Sequence, residues 1–241
     1  MAANGGGAAS GTVLQSATRA LHALDALGRR PDGATAKALS GDLGLSLGAT
    51  YHLLNTLVAV GYAVQDPIDR HFRLGPRVPH LHQAFLDGLR SPPGALALLG
   101  VLRDATAETV YLGRLHGQDA VALACLEGAL AGAVPAGYVG LGGPAHATAL
   151  GQAILAALPP PLLERYLAVA DLSAKDPFAG GNAPTLRREL VRIREQGYAV
   201  DRGDRSNGLA GCLAAAVWRA DAAVPDAIAV IAPRARFLRA E

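Results

Sequence analysis

Apolar residues in the first third of the chain follow helical spacing in three successive segments. The first segment runs from Val13 to Leu27, the second begins near Ala34, and the third runs from Gly48 to Val60. Residues that recur every three or four positions occupy one side of a helix. The positions predicted to face a shared core are Leu14, Ala17, Leu21, Leu24, Leu27, Ala36, Leu39, Leu43, Leu53, Leu54, Leu57 and Val60. The pattern predicts three packed helices, with Gly44 in a tight turn between the second and third.

A short hairpin is predicted directly after the third helix. Residues 61–65 and 70–74 have strand-like composition, and Asp66-Pro67-Ile68-Asp69 between them is typical of a turn. Two helices joined by a tight turn and followed by a two-stranded wing form a winged helix-turn-helix, whose second motif helix enters the major groove of DNA. The sequence therefore predicts a DNA-binding domain over residues 12–75, after a disordered Gly- and Ala-rich tail over residues 1–11.

The polar side of the third helix supplies the candidate DNA contacts. Hydroxyl, amide and imidazole groups can reach base edges or phosphates, and arginines on a wing can contact phosphates without reading sequence. The candidates are Ser46, Thr50, Tyr51, His52 and Asn55 from the turn and helix, and Arg70 and Arg73 from the wing. For Tyr51 and His52, packing within their own domain is the alternative.

Charge alone does not indicate DNA binding. Residues 1–75 contain six basic and five acidic side chains, and the proposed recognition helix contains neither Lys nor Arg. Its attraction to phosphate is therefore expected to be weak, so affinity would depend on two copies acting together. The alternative is a winged helix used for protein contact, in a ligand-sensing co-regulator without specific DNA binding.

The pattern changes after Gly75. Residues 76–91 are predicted to form a linker helix, because Val78, Leu81, Phe85 and Leu89 recur at helical spacing. This stripe could pack on a partner chain or on its own domain, and Ser91-Pro92-Pro93-Gly94 breaks the helix.

Residues 92–241 are predicted to form a second domain with a central sheet flanked by helices. Helices are expected at 95–107, 148–157, 160–169 and 185–196, and strands at 109–115, 120–127, 198–201, 213–217 and 227–231. A glycine-rich passage spans residues 128–143. The whole chain is thus assigned to the α/β (α+β) class.

Composition narrows the possible classes of protein. The 241 residues are 51% hydrophobic, enough for two packed cores, and no apolar run is long enough to cross a membrane. The start of the chain lacks the features of a signal peptide, so the cytoplasm is expected. The two cysteines, Cys125 and Cys212, have no paired spacing, which indicates neither a disulfide framework nor a metal site.

An enzyme is the main alternative for the second domain. This domain has no P-loop, no Gly-x-Ser-x-Gly elbow and no spacing for a catalytic metal. His116 or His146 could pair with a cysteine, but nothing places a third group to orient such a base. The prediction is that the protein is not an enzyme, with no catalytic residues, no metal and no cofactor.

A ligand site is predicted where Gly142-Gly143-Pro144-Ala145-His146 enters the helix that begins near Ala147. Glycine permits close approach, and a helix N-terminus offers free N–H groups to an anion. The alternatives are that His146 only caps the helix and that the glycine-rich passage is only a loop.

An ordered set of motifs resembles the IclR family of transcriptional regulators over nearly the whole chain. The segments that carry the resemblance are Val13-Leu14-Gln15-Ser16-Ala17-Thr18-Arg19-Ala20-Leu21, Leu43-Gly44-Leu45-Ser46, residues 49–57, Gly61-Tyr62, Phe72-Arg73-Leu74-Gly75, residues 144–153, Gly197-Tyr198-Ala199-Val200-Asp201 and residues 212–217. The resemblance implies a winged helix-turn-helix, a linker helix, a GAF-like effector-binding domain, and assembly as a homodimer or tetramer.

The resemblance also implies which residues border the effector pocket. Carried over position by position, these are Gly143, Ala145, His146 and Ala147, with Asp201 and Cys212 across the pocket. Without the resemblance, Cys212 is better explained as a small core residue than as a ligand contact. Two departures bear on effector charge: Gln152 stands where the family usually has Lys, and Ala210-Gly211 precedes Cys212 where an Arg is common.

The function expected from the sequence is an effector-responsive transcriptional repressor. Its expected partners are double-stranded operator DNA, a second copy of the chain and a small organic acid or aromatic metabolite. No membrane partner is expected.

Overall fold

The structure of the protein is a computed structural model that describes residues 13–129, 138–172, 182–203, 210–220 and 222–240. The predicted tail and residues 130–137 of the glycine-rich passage lie outside the described residues. The chain divides into two compact units between Phe85 and Leu86. The described helices include none long and apolar enough to cross a membrane.

The first unit contains three helices and a two-stranded antiparallel wing. The helices are α1 (Gln15–Gly28), α2 (Ala36–Leu43) and α3 (Leu47–Ala59), and the wing strands are β1 (Ala63–Gln65) and β2 (Phe72–Leu74). Gly44 ends α2 in the left-handed conformation, at φ 61°, which glycine adopts without steric cost. The winged helix-turn-helix predicted from the sequence is confirmed.

The core of this unit uses a different side of α1 from the one predicted. Ala23, Ala26 and Leu27 are buried against α2 and α3, whereas the predicted inward positions Leu14 and Leu21 are 69% and 61% exposed. Ala17 is also exposed, as is Val60 just after α3. The prediction was wrong at Leu14, Ala17 and Leu21 because this segment carries two apolar stripes, and spacing alone does not tell which one meets the neighbouring helices. It was wrong at Val60 because α3 ends at Ala59, one residue earlier.

A fourth helix, α4 (Arg77–Gly88), follows the wing and buries none of its side chains in the described structure. The second unit then contains five helices. These are α5 (Ala95–Thr106), α6 (Ala149–Ala157), α7 (Pro160–Val169), α8 (Ala183–Gln196) and α9 (Arg234–Ala240).

The second unit is built on a six-stranded antiparallel sheet with the order β5-β4-β3-β8-β7-β6. Its strands are β3 (Thr109–His116), β4 (Asp119–Leu126), β5 (Gly142–Pro144), β6 (Ala199–Asp201), β7 (Ala210–Val217) and β8 (Asp226–Pro233). The larger core lies between one face of this sheet and helices α6, α7 and α8. Helix α5 packs on the other face, over Val110 and Leu112. This is the predicted sheet flanked by helices.

Candidate effector cavity and DNA-binding surface

A cavity of about 330 Å³ opens on the helix-covered face of the sheet. Strands of the sheet, including the edge strand β5, form its floor, and the start of α6 and the turn before it line the rest. Its lining residues are Tyr111, Ala120, Ala122, Leu141, Gly142, Gly143, Ala147, Thr148, Ala149, Leu150, Asp201, Ala210, Gly211, Cys212, Ala229 and Ile231.

Strand register brings the lining residues together. Tyr111 lies directly opposite Ala229, and Ile231 lies opposite Cys212, which in turn lies opposite Asp201. Directly opposite residues point to the same face of a sheet, so residues from four strands converge on this one face. Small side chains such as Ala229 leave space there that larger residues would fill.

Four of the six predicted effector residues line the cavity: Gly143, Ala147, Asp201 and Cys212. Ala145 and His146 do not, and this part of the prediction is corrected. Both belong to a buried 3₁₀ turn, Ala145–Ala147.

Tyr166 of α7 stabilises the buried turn through hydrogen bonds to His146. The Tyr166 hydroxyl lies 2.7 Å from His146 Nδ1 and accepts the His146 backbone N–H at 3.0 Å. Gln152 Nε2 donates to the His146 carbonyl oxygen at 2.8 Å. Burial raises the pKa of the Tyr166 hydroxyl. His146 and Gln152 therefore support the cavity wall from behind, and neither lines the cavity.

The start of α6 is capped by the protein itself. The Thr148 hydroxyl accepts the Gly151 N–H at 3.0 Å, which satisfies one of the free donors of the helix N-terminus. Any Cβ on Gly151 would overlap the backbone of Ala145, so glycine is required for the turn to pack this closely on the helix.

The polar groups of the cavity are few. Asp201 Oδ1 accepts the Gly203 N–H at 3.0 Å. Of the lining residues that the structure describes, Asp201 is the only acidic one, and none is basic. Tyr111 also hydrogen-bonds Cys125, and burial raises the pKa of the Cys125 thiol. The cavity is thus mainly apolar with a small number of polar groups, as small-molecule sites usually are.

Ten of the sixteen lining residues were missed by the sequence reasoning. The missed residues are Tyr111, Ala120, Ala122, Leu141, Ala149, Leu150, Ala210, Gly211, Ala229 and Ile231. A usable signal was present in the strands, since Ala120 and Ala122 alternate as small residues on one face of β4.

The exposed side of α3 carries most of the predicted DNA contacts. Tyr51 is 42% exposed and stands edge-on to Phe72, with ring centroids 6.3 Å apart. His52 and Asn55 are exposed as well. The hydroxyl of Ser46 is exposed but caps the helix, accepting the Ala49 N–H at 3.3 Å.

Thr50 was wrongly placed on this surface. Its side chain is fully buried, at 0% exposure, and its hydroxyl donates to the Ser46 carbonyl oxygen at 3.0 Å. That internal hydrogen bond satisfies the hydroxyl and allows Thr50 to pack in the core. It therefore cannot reach DNA.

The two wing arginines differ in their surroundings. The Arg73 guanidinium forms ion pairs with Asp66 and Asp69, at 3.2 and 2.6 Å. Arg70 is exposed at the tip of the wing, with a left-handed backbone at φ 60°.

Comparison with known proteins identifies a bacterial transcriptional regulator with a helix-turn-helix DNA-binding domain. The family model for the IclR helix-turn-helix domain matches residues 16–67, and the one for the bacterial transcriptional regulator IclR C-terminal domain matches residues 94–241. The chain belongs to the IclR family.

Individual relatives agree with this assignment. The chain is 30% identical over 218 residues to the HTH-type transcriptional regulator XynR of Escherichia coli, covering 90% of this chain and 86% of XynR. It is 28% identical to the HTH-type transcriptional repressor AllR of Salmonella typhi, covering 92% and 81%. A crystal structure of an IclR family regulator from Brucella abortus superposes with a TM-score of 0.69 at 21% identity, covering 95% and 85%, and shows the same fold.

These findings agree with the expected class of protein. The family consists of transcriptional regulators, which are not enzymes. That this chain belongs to the family does not favour the alternative of a co-regulator without DNA binding. Within the described residues, no cluster of three or more His, Cys, Asp or Glu side chains is arranged to hold a metal ion.

Proposed function

We propose that the protein is a cytoplasmic, homo-oligomeric repressor whose affinity for double-stranded operator DNA changes when a small molecule enters the C-terminal cavity. The observation that carries this proposal is the cavity of about 330 Å³ in a chain that also contains a DNA-binding domain. The repressor sense is supported by the similarity to AllR, which is named a repressor.

The size and lining of the cavity favour a compact effector. Its volume lies at the lower end of the range for small-molecule sites, about 300–1,000 Å³. Tyr111 and Ile231 offer apolar walls suited to a ring, while Thr148 and the backbone of Gly143 provide polar contact. Of the two expected classes, an aromatic metabolite fits this lining better than a small organic acid, because the described lining residues include Asp201 and no basic side chain.

The proposed DNA contacts are those predicted residues whose side chains are exposed. Tyr51, His52 and Asn55 would meet the major groove from α3, with Ser46 at its N-terminus and Arg70 on the wing. Amide, imidazole and hydroxyl groups can hydrogen-bond base edges or phosphates.

A second copy of the chain is proposed to complete the DNA-binding unit. The stripe of Leu14, Ala17 and Leu21 on α1 is exposed, and Leu81 on α4 is 57% exposed. Contiguous exposed apolar residues indicate interaction surfaces. Because α3 lacks Lys and Arg, two half-sites bound together would supply the affinity that one copy lacks.

The effector would act by favouring one arrangement of the DNA-binding domains. A ligand shifts such an equilibrium only by the difference in its affinity for the two arrangements, and DNA then changes effector affinity by the same factor. The proposal therefore requires that the effector changes the affinity for DNA and that DNA changes the affinity for the effector by the same factor.

A cavity-filling variant tests this function. Ala229→Leu places a larger side chain in the cavity, and Ala168→Leu makes the same change on the exposed side of α7. Small aromatic and aliphatic acids would first be screened by thermal shift on the full chain. Binding to the intergenic DNA beside its own gene would then be measured by fluorescence anisotropy.

We expect Ala229→Leu to bind this DNA as the wild type does but to lose the response to any compound found, while Ala168→Leu keeps it. Deletion of the gene should raise expression of the adjacent operon. A compound that saturates the wild-type protein and leaves its DNA affinity unchanged would contradict the proposed coupling.

A further inference from the structure

The turn of the wing is held together by its own acidic side chains. Asp66 Oδ1 accepts the backbone N–H of Ile68 at 2.8 Å and that of Asp69 at 3.3 Å. Asp69 Oδ1 accepts the backbone N–H of His71 at 2.8 Å. The two carboxylates thus shape the turn, and their remaining oxygens are available to a cation.

Arg73 on β2 supplies that cation. Its Nη1 lies 3.2 Å from Asp66 Oδ2 and its Nη2 lies 2.6 Å from Asp69 Oδ2. The hydrogen bond from Arg73 to Asp69 is the main reason that the pKa of Asp69 falls from 3.8 to about 2. Asp32 adds a further negative charge near the guanidinium. The positive charge of Arg73 is therefore already compensated within the protein.

The stem of Arg73 is also fixed by packing. Its Cγ lies beside Gly33, where a Cβ would come within 2.7 Å of it. Gly33 has a left-handed backbone at φ 82°. Arg73 is thus held at both its stem and its guanidinium, and swinging it toward DNA would break the ion pairs.

Arg70 is in the opposite situation. It is exposed, and none of the ion pairs found among the described residues includes it. Its left-handed backbone, at φ 60°, is unfavourable for a residue with a side chain. The backbone is held on both sides: its N–H donates to the Asp66 carbonyl oxygen at 3.1 Å, and its carbonyl oxygen accepts from Gln65 Nε2 at 3.2 Å. An arginine in this conformation at a wing tip points to a role in binding.

We propose that Arg70 is the phosphate contact of the wing, and that Arg73 is a positioning residue that holds the turn in which Arg70 is displayed. The proposal rests on the proposed DNA-binding function. It replaces the sequence-based expectation that both arginines contact DNA.

Salt dependence separates the two roles. Each phosphate neutralised by a free cation contributes about 0.9 to the slope of log K against log salt. Arg70 should contribute about 0.9 to this slope. Arg73, with its charge compensated by two carboxylates, should contribute little.

The experiment measures binding of the full chain to a fluorescent duplex of random sequence, between about 50 and about 200 mM salt. Phosphate contacts do not depend on sequence, so no operator is needed. We expect Arg70→Gln to reduce the slope by about 0.9 and Arg73→Gln to reduce it by no more than that, because Arg73 affects the slope only through Arg70. In the Arg70→Gln background, Arg73→Gln should change the slope by less than about 0.3. Arg165→Gln, an exposed arginine on α7, controls for the change in net charge.

A double variant tests whether Arg73 acts through Arg70. If it does, Arg73→Gln weakens binding in the wild-type background but has no further effect in Arg70→Gln, so the losses do not multiply. Thermal melting of each variant confirms that the domain is folded.

The Asp69→Asn variant removes the charge of the acidic partner in the ion pair between Asp69 and Arg73. If Asp69 restrained an arginine that contacts phosphate, removing its charge would steepen the slope by about 0.9. For a positioning role, we expect no steepening.

The assignment is overturned if Arg73→Gln further reduces the slope in the Arg70→Gln background, or if the two losses of affinity multiply. Failure of the wild-type protein to bind any duplex would overturn the proposed function and the assignment together. An absent effector response with the expected slopes would contradict only the proposed function.

Discussion

Leu150 of α6 lies directly over Gly113 of β3, and a Cβ on Gly113 would overlap the Leu150 side chain. The two residues bring the helix against the floor of the sheet beside the cavity. Leu150 also lines the cavity. The distance between helix and sheet here is therefore set by the absence of a side chain at residue 113.

Gly113→Ala should destabilise the C-terminal domain by about 1–3 kcal/mol, because the added methyl group overpacks this contact. Gly113→Ala with Leu150→Ala should cost less than the sum of the two single changes. Trp218, the single tryptophan of the chain, reports urea unfolding of this domain by fluorescence.

The control for this change is Gly100→Ala on α5. A Cβ there meets no other atom within 4 Å, and alanine favours a helix over glycine. Gly100→Ala should be neutral or stabilising. If Gly113→Ala behaved in the same way, the proposed overlap with Leu150 would be wrong.

Ser46 combines a structural role with a proposed DNA contact, and two substitutions separate them. Ser46→Ala should cost about 1 kcal/mol of stability by removing the cap of α3. Ser46→Asp retains the cap but places a negative charge where a phosphate is proposed to lie, so it should weaken DNA binding without loss of stability. Circular dichroism melts and anisotropy measure the two effects.

Asn182→Asp is the matched control for Ser46→Asp. The Asn182 side chain caps α8 by accepting the Thr185 N–H at 3.0 Å. Asn182→Asp therefore adds the same negative charge at a helix cap, but in the C-terminal unit. It should leave DNA binding unchanged. Equal DNA affinity for Ser46→Asp and the wild type would remove Ser46 from the proposed interface.

The ion pair between Asp69 and Arg73 predicts an acid-dependent wing. The folded pKa of Asp69, about 2, lies below its ordinary value of 3.8, so the interaction stabilises the folded wing above about pH 4. That contribution is lost as the pH falls from about 4 through 2. A carboxyl NMR titration should give a midpoint near 2, and Arg73→Gln should return it toward 3.8.

Cys212 provides a chemical probe of the cavity. Because it lines the cavity, its alkylation by a maleimide should slow several-fold when Ala229→Leu fills the space beside it. Ala168→Leu should have no effect. Peptide mass spectrometry distinguishes it from Cys125, which should react slowly in every variant because burial raises the pKa of its thiol. Unchanged labelling of Cys212 in Ala229→Leu would show that the reagent arrives by another route.

Elements with local signals were predicted closely from the sequence. Helix α7 begins at Pro160 and ends at Val169 as expected, because proline at the first helical position fixes its start. The tight turn before α3 was predicted from Gly44. The Ser46 cap was not predicted, although serine before a helix is a common cap.

Features that depend on distant contacts were not predictable in this way. The burial of His146 requires Tyr166, twenty residues further along the chain. Thr50 was assigned to the polar surface by type, whereas its hydrogen bond to Ser46 makes it a core residue. The floor of the cavity depends on strand order, which residue patterns within single strands do not specify.

The pairing of β3 with β8 has a consequence for how the C-terminal domain folds. It joins two halves of the sheet, β5-β4-β3 and β8-β7-β6. Within each half, the paired strands are closer to each other in sequence than β3 is to β8. Arg114 and Asp226, which form an ion pair across this seam at 2.7 Å, are 112 residues apart. Contacts so distant in sequence form slowly. Since Tyr111 and Ala229 meet across the same seam, the cavity forms only once this pairing has formed, and partly folded chains would carry a helix-turn-helix domain without the proposed effector site.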